Sequence, residues 1–187
     1  MDNKNPYAVT GARVADQDQI APVDESNPLF AAGVVKVLVM SLVTFGIYEL
    51  YWMYRHWRLI QGRDRSDIMP FWRAFFGIFY VYSLLKRMRT DGEQHGVTNP
   101  FPAGALATAY ILASLTWRLP DPWWMIGFAN IVVCAVAQSY ANQVNLAAAP
   151  NHDRNERFSG LNWLGIAVGG MFFMLVLVGL FFGEDLR

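Results

Sequence analysis

Cysteine is almost missing. Cys134 stands alone among 187 residues, so no disulfide can close within the chain and nothing is learned of the redox compartment. Its apolar neighbours make it a small packing residue. Charge is scarce too, at 16% of residues against about 25% in a typical soluble domain. The 15 basic and 15 acidic side chains cancel, which removes the basic excess that nucleic-acid binding needs. The 3 histidines, His56, His95 and His152, lie in separate segments without H-x-x-x-H or H-E-x-x-H spacing. No metal site is expected from them. G-x-S-x-G and P-loop patterns are lacking, so no cofactor and no catalytic residue is expected either. Residues 1–28 contain no apolar core and do not read as a signal peptide. Asp2, Asp16, Asp18, Asp24 and Glu25 against Lys4 and Arg13 give this stretch a net charge of −3, and it carries Pro6, Pro22 and Pro28. It reads as a disordered acidic tail ahead of a helical membrane domain over 29–187.

What is present is apolar and aromatic, at 54% and 15%, and it is gathered in blocks. Crossing about 30 Å of hydrocarbon takes roughly 20 helical residues. Runs near 29–54, 102–119, 122–141 and 161–182 approach or exceed that length, and four transmembrane helices are expected. Between the second and third lies only Arg118-Leu119-Pro120-Asp121-Pro122, a tight corner flanked by Trp117, Trp123 and Trp124 at headgroup level. A fifth run, about 70–88, is short and contains Arg73. Arg73, Tyr80 and Arg87 recur every seven residues on an otherwise apolar surface. That pattern suits an in-plane amphipathic helix or a re-entrant one.

Charge bias favours the non-crossing reading of the fifth run. If it does not cross, Arg55, Arg58, Arg63, Arg65, Arg73, Lys86, Arg87, Arg89, Arg154 and Arg157 share one side. That is ten, against four (Lys4, Arg13, Arg118, Arg187) on the other. If it crosses, the split falls to seven against six. Cytoplasmic loops are rich in Lys and Arg, so the basic loops are expected inside and both termini outside.

The stretch Thr44-Phe45-Gly46-Ile47-Tyr48-Glu49-Leu50-Tyr51-Trp52-Met53-Tyr54-Arg55-His56-Trp57 marks the end of the first span. Its rings form an aromatic belt, and Arg55 and Arg58 mark the water side. Glu49 sits deeper, where a carboxylate either carries function or bonds locally to an aromatic hydroxyl or an arginine. Lys36, near the other end of the same run, is expected to snorkel outward. In the third span Asn130, Cys134, Gln138 and Asn142 recur by four and share a face that should look into the bundle as interhelical glue. The fourth carries Gly165-x-x-x-Gly169 and Gly179-x-x-x-Gly183, which allow close helix approach, with Ala105, Ala109 and Ala113 of the second span as a possible facing stripe.

The segment "TFGIYELYWMYRHW", with "PFWRAFF", "YSLLKRM" and "RFSGLNWLGIAVGG" later in the chain and Asn5-Pro6-Tyr7 before it, resembles a family of small uncharacterised bacterial membrane proteins. That family carries a T-F-G-I-Y-x-x-Y-W segment at the end of its first helix. The resemblance implies a multi-pass protein of the bacterial inner membrane and transfers no catalytic residue.

The expected function is a non-catalytic inner-membrane scaffold or modulator. Its partners would be anionic lipid, met by Arg55, Arg58, Arg73, Lys86, Arg87 and Arg89, a membrane protein, or a second copy of the chain. The alternative is a small transporter or channel-like protein using Glu49 and the Asn130/Gln138 face. A headgroup-modifying enzyme using His152, Asp153 and Glu156 is a third reading, to which a plain solvated loop is preferred.

Overall fold

The computed structural model describes residues 27–182. The acidic tail expected over 1–28 lies outside these residues except for Asn27 and Pro28, which are buried against the bundle; so does the closing "GEDLR". Seven α-helices are described: α1 Val34–Val43, α2 Ile47–Asp64, α3 Pro70–Phe75, α4 Gly77–Gln94, α5 Ala103–Thr116, α6 Ala129–Ala148 and α7 Gly160–Phe182. A 3-10 segment, Trp123–Phe128, leads into α6. No strand occurs among the described residues, so the chain is all-α there as expected. Two stretches are long and apolar enough to cross a membrane, Trp123–Ala148 and Gly160–Gly179, where four were expected.

The largest departure is the first span. Residues 27–33 are not helical, with bends at Pro28 and Leu29, and α1 is only 10 residues long, about 15 Å at 1.5 Å per residue, roughly half of a hydrocarbon core. It stops at Thr44-Phe45-Gly46. Phe45 and Gly46 take left-handed backbone angles, with φ of 50° and 85°. The glycine reaches this region without a Cβ penalty. The reversal satisfies its own polar groups. Gly46 N donates to Ser41 O at 2.9 Å and Phe45 N to Leu42 O at 3.2 Å. Thr44 Oγ1 donates to Met40 O at 2.7 Å and accepts from Tyr48 N at 3.0 Å. Such self-capping lets non-helical backbone stand inside an apolar bundle.

The chain then turns back. At the start of α1, Lys36 Nζ donates to Asn155 Oδ1 at 2.9 Å; at its end the Phe45 ring lies 5.9 Å from Phe128 and 5.4 Å from Phe172. α2 retraces the path. Glu49 meets Tyr110, Trp52 meets Gln138, and His56 meets Phe30, which precedes α1. The expected single span 29–54 is therefore a helical hairpin that enters and leaves at the same end of the bundle. Lys36 belongs to that end, beside Asn155, and does not mark an opposite outer surface.

The α5–α6 hairpin forms as expected, slightly shorter in its first arm. Ser114 faces Asn130 at its closed end and Asn99 bonds Gln143 at its open end. At the corner Trp117 stacks on Trp124 at 5.7 Å, and Trp124 Nε1 donates to Asp121 Oδ1 at 2.7 Å. α7 runs parallel to α1 and approaches it closely at the first glycine pair. A Cβ on Gly169 would come within 2.1 Å of the Val43 carbonyl oxygen, whereas one on Gly179 would meet nothing. Gly183 lies outside the described residues.

The segment expected as one helix over 70–88 is two, α3 and α4, with an elbow at Phe76. Gly77 fits beneath Met53, where a Cβ would stand 2.7 Å from the sulfur. α4 then runs alongside α2 to bring Asp91 to Arg63.

Candidate functional site

Two regions gather the polar and charged side chains. The first is the face of α6 that looks at the α1–α2 hairpin. Helical spacing by four puts Asn130, Cys134, Gln138 and Asn142 in one row, and Asn145 completes it. Gln138 is fully buried. Its Oε1 accepts from Trp52 Nε1 at 2.5 Å, and its Nε2 donates to Phe30 O at 3.0 Å and to Asn142 Oδ1 at 2.8 Å. Asn142 Nδ2 donates to Ala32 O at 2.9 Å. Asn145 grips one residue twice: Leu29 N donates to its Oδ1 at 3.0 Å, and its Nδ2 donates to Leu29 O at 2.9 Å. Phe30 N donates to His56 Nδ1 at 3.3 Å. Asn155 Nδ2 donates to Ala31 O at 3.1 Å, and Arg63 to Pro28 O at 3.0 Å.

The row is therefore glue, but most of what it holds is irregular backbone rather than another helix. Such a segment inside a bundle has no ladder to join, and amide side chains supply both donors and acceptors in its place. Composition pointed to the row. It did not point to Asn145, Asn155, Trp52 or His56, because nothing in periodicity shows that residues 28–33 leave the helix.

The upper part of the row is different. Asn130 Nδ2 donates to Ser114 Oγ at 2.9 Å. Glu49, buried, accepts from the Tyr110 hydroxyl at 3.1 Å. The carboxylate thus finds one of its two expected local partners, an aromatic hydroxyl, and it finds it on α5. Cys134 is buried in the same layer.

The second region is the end of the bundle where the hairpin opens. Of the 15 basic residues, Lys4, Arg13 and Arg187 lie outside the described residues, which leaves 12. Lys36, Arg55, Arg58, Arg63, Arg65, Arg73, Lys86, Arg87, Arg89, Arg154 and Arg157 stand at this end and Arg118 alone at the other, eleven against one. They differ in what they offer. Arg55 is buried, with its guanidinium 4.8 Å from the Phe30 ring centre and 5.7 Å from that of Tyr51. Arg73 lies 4.6 Å over Trp57 and 5.3 Å over Tyr80. Arg89 pairs with Glu93 at 2.8 Å. Arg87 pairs with Asp64 and stands 3.7 Å from Asp91. Arg58 and Lys86 are exposed and make no ion pair among the described residues.

Asp91 is the buried acid of this end. Arg63 bridges both its oxygens at 3.0 and 2.9 Å. Burial pushes its carboxyl above the usual range, and the pull of Arg63 and Arg87 does not overcome it. At the other end of α4, about 21 Å from Asp91 at 1.5 Å per residue, α3 and the start of α4 expose Phe71, Trp72, Phe75, Phe76 and Phe79, the last at 77%. The rings stack on one another, Phe71 on Phe75 at 6.1 Å and Trp72 on Phe76 at 5.9 Å.

The loop that could have served acid–base chemistry is spent on local structure. His152 Nδ1 lies 2.7 Å from Ala149 O, and Asp153 Oδ1 accepts from Asn155 N at 2.9 Å. Among the described residues no cluster of His, Cys, Asp and Glu has the form of a metal site.

Among the described residues the protein is all-helical, and two of its helices are long and apolar enough to cross a membrane. Set against known proteins, the chain matches no family model, no curated protein and no solved structure.

Proposed function

We propose that the chain is a non-catalytic integral protein of the bacterial inner membrane whose basic end holds anionic lipid on the cytoplasmic side. The observation that carries this is the elbow of α3 and α4. Phe71, Trp72, Phe75, Phe76 and Phe79 are exposed on the two helices that also carry Arg73 and, about two turns farther along α4, the exposed Lys86. Aromatic rings favour the headgroup layer, and cations beside them attract anionic headgroups. The inner-membrane location rests on the family resemblance. The cytoplasmic assignment rests on the charge bias; among the described residues the ten cations expected on one side already stood against Arg118 alone, and the hairpin adds Lys36 to them.

In this reading α6 and α7 cross, the 14-residue α5, shorter than the two candidate spans, completes the hairpin with α6, and the α1–α2 hairpin does not cross. The segment at Pro28 then belongs with the basic loops inside, and Phe182 with the far side. Of the expectation that both termini lie outside, this proposal keeps the C-terminal side and revises the N-terminal one.

Lipid retention in native mass spectrometry tests the reading. Arg58→Gln with Lys86→Gln should cut retained anionic lipid severalfold, since each well-placed cation contributes about 1 kcal/mol. Arg55→Gln should leave retention unchanged while it lowers stability, because that guanidinium is sealed against Phe30 and Tyr51. Equal retention by wild type and the double variant would refute the proposal.

A further inference from the structure

The loop between α4 and α5 borders an open cavity of about 310 Å³ at the basic end. That volume lies at the low end of small-ligand sites, roughly 300–1,000 Å³. Its walls are fixed. Val97 N donates to Gly92 O at 2.9 Å, and Phe101 stacks on Tyr140 of α6 with ring centres 4.2 Å apart. Asn99 bonds Gln143 of α6. The Tyr140 ring in turn needs Gly92, where a Cβ would run into its hydroxyl. Two charges of opposite sign line the cavity, and neither is saturated. Arg89 Nε donates to Glu93 Oε1 at 2.8 Å, which leaves the other guanidinium nitrogens and Glu93 Oε2 without a bond among the described residues. Thr98 and Tyr140 line it too, and their hydroxyls make no hydrogen bond among the described residues. The side chains of Arg89 and Glu93 are 56% and 57% exposed, so the pair contributes little to stability by itself.

We propose that this cavity binds a zwitterion made of a phosphate and a primary ammonium, the phosphoethanolamine group, presented as a lipid headgroup. The phosphate accepts from the spare guanidinium nitrogens of Arg89, whose planar fork suits it. The ammonium donates to Glu93 Oε2, and the cavity offers the Thr98 and Tyr140 hydroxyls as further acceptors. A ligand of one sign fits less well. Glu93 repels an anion that approaches Arg89, and Arg89 repels a lone cation that approaches Glu93, so the pair selects a ligand that carries both. A quaternary ammonium has no N–H to give and leaves Glu93 Oε2 unbonded. Gln143, which Asn99 bonds, stands five residues before the end of the apolar stretch Trp123–Ala148, so the cavity opens near the headgroup layer. The zwitterion chemistry stands on the cavity alone; the lipid as its source rests on the membrane reading above.

The test is native mass spectrometry of the full-length protein offered phosphatidylethanolamine, phosphatidylcholine and phosphatidylglycerol in equal amounts. The wild type should retain phosphatidylethanolamine over phosphatidylcholine; equal retention of the two would overturn the ammonium assignment. Arg89→Gln and Glu93→Gln replace exposed charges, so both should melt like the wild type. Each should lower phosphatidylethanolamine retention about tenfold, the loss of one charge-assisted bond. Glu93→Gln should also raise retained phosphatidylglycerol, because Arg89 then stands unopposed, a gain that a merely structural role for Glu93 does not predict. Arg58→Gln with Lys86→Gln should leave phosphatidylethanolamine unchanged, which separates this site from the anionic one. Titration of the detergent-solubilised protein with free O-phosphoethanolamine distinguishes the source. If only the free compound shows the loss in both variants, the zwitterion site stands and its ligand comes from solution. No dependence on Arg89 or Glu93 in either arm would overturn the site.

Discussion

At the scale of single residues, Arg63 and Asp91 form one ion pair with two unequal members. Asp91 has a side chain only 2% exposed, whereas that of Arg63 is 33% exposed. Removing the arginine strands a buried carboxylate, with Arg87 at 3.7 Å as a partial substitute, and it also frees Pro28 O. Removing the acid's charge leaves a cation that can turn to water. Arg63→Met should therefore cost about 2–4 kcal/mol, and Asp91→Asn within about 1 kcal/mol, in denaturant unfolding in detergent. The sign with pH follows. A folded carboxyl raised above its unfolded value gives stability that is full below the unfolded value, about 3.9, and is lost as pH rises through the window up to the folded one. Asp91→Asn should remove that decline; a variant that keeps it would show that another acid is responsible. None of this was legible in the sequence. Arg87 and Arg89 read as free lipid contacts because a count of cations carries no information about Asp64, Asp91 or Glu93 folding back on them. Arg58 and Lys86 fit that expectation in exposure, and Glu49 could be narrowed to two local partners because burial leaves a carboxylate few options.

At the scale of elements, hydropathy found most of the helices and missed where two of them break. The run over 29–54 is continuously apolar, and a reversal needs only Thr44-Phe45-Gly46, three residues that an unbroken span would also accept. The elbow at Phe76 hid for the same reason, since only the approach of Gly77 to Met53 requires it. Helix packing shows the limit from the other direction. Gly165-x-x-x-Gly169 and Gly179-x-x-x-Gly183 look alike as patterns, but of the three described glycines Gly165 and Gly169 meet α1 while Gly179 meets nothing. Gly169→Leu would drive a side chain into the Val43 carbonyl and should loosen α7 from α1, costing about 1–3 kcal/mol or more as overpacking. Gly179→Leu enters open space and should stay within about 0.5 kcal/mol. Thermal melts of the two variants, with a crosslink between α1 and α7 as the readout of docking, separate them. Equal effects would mean that α7 is not held at Gly169.

At the scale of the whole molecule, one break decides the threading. If 29–54 crossed, the segment before it and the loop after α2 would face opposite compartments. As a hairpin, it returns both to the same end of the bundle. The hydrogen bonds of Lys36 to Asn155 and of Arg63 to Pro28 tie residues from the start, middle and end of the chain to one surface, which is hard to reconcile with a crossing between them. The expected charge split already favoured a cytoplasmic 55–100 segment; what it could not do was locate the N-terminal side, because that depends on a direction and not on a composition. In a Cys134→Ala background, Ser26→Cys, Arg65→Cys and Asn151→Cys should all label from the cytoplasmic side of inverted and right-side-out vesicles, and Asp121→Cys from the opposite side. The decisive comparison is Ser26 with Arg65. Labelling of these two from opposite faces would mean that α1 and α2 together cross the bilayer. The cations would then divide across the membrane, and the positive bias that supports a cytoplasmic lipid-binding end would weaken with it.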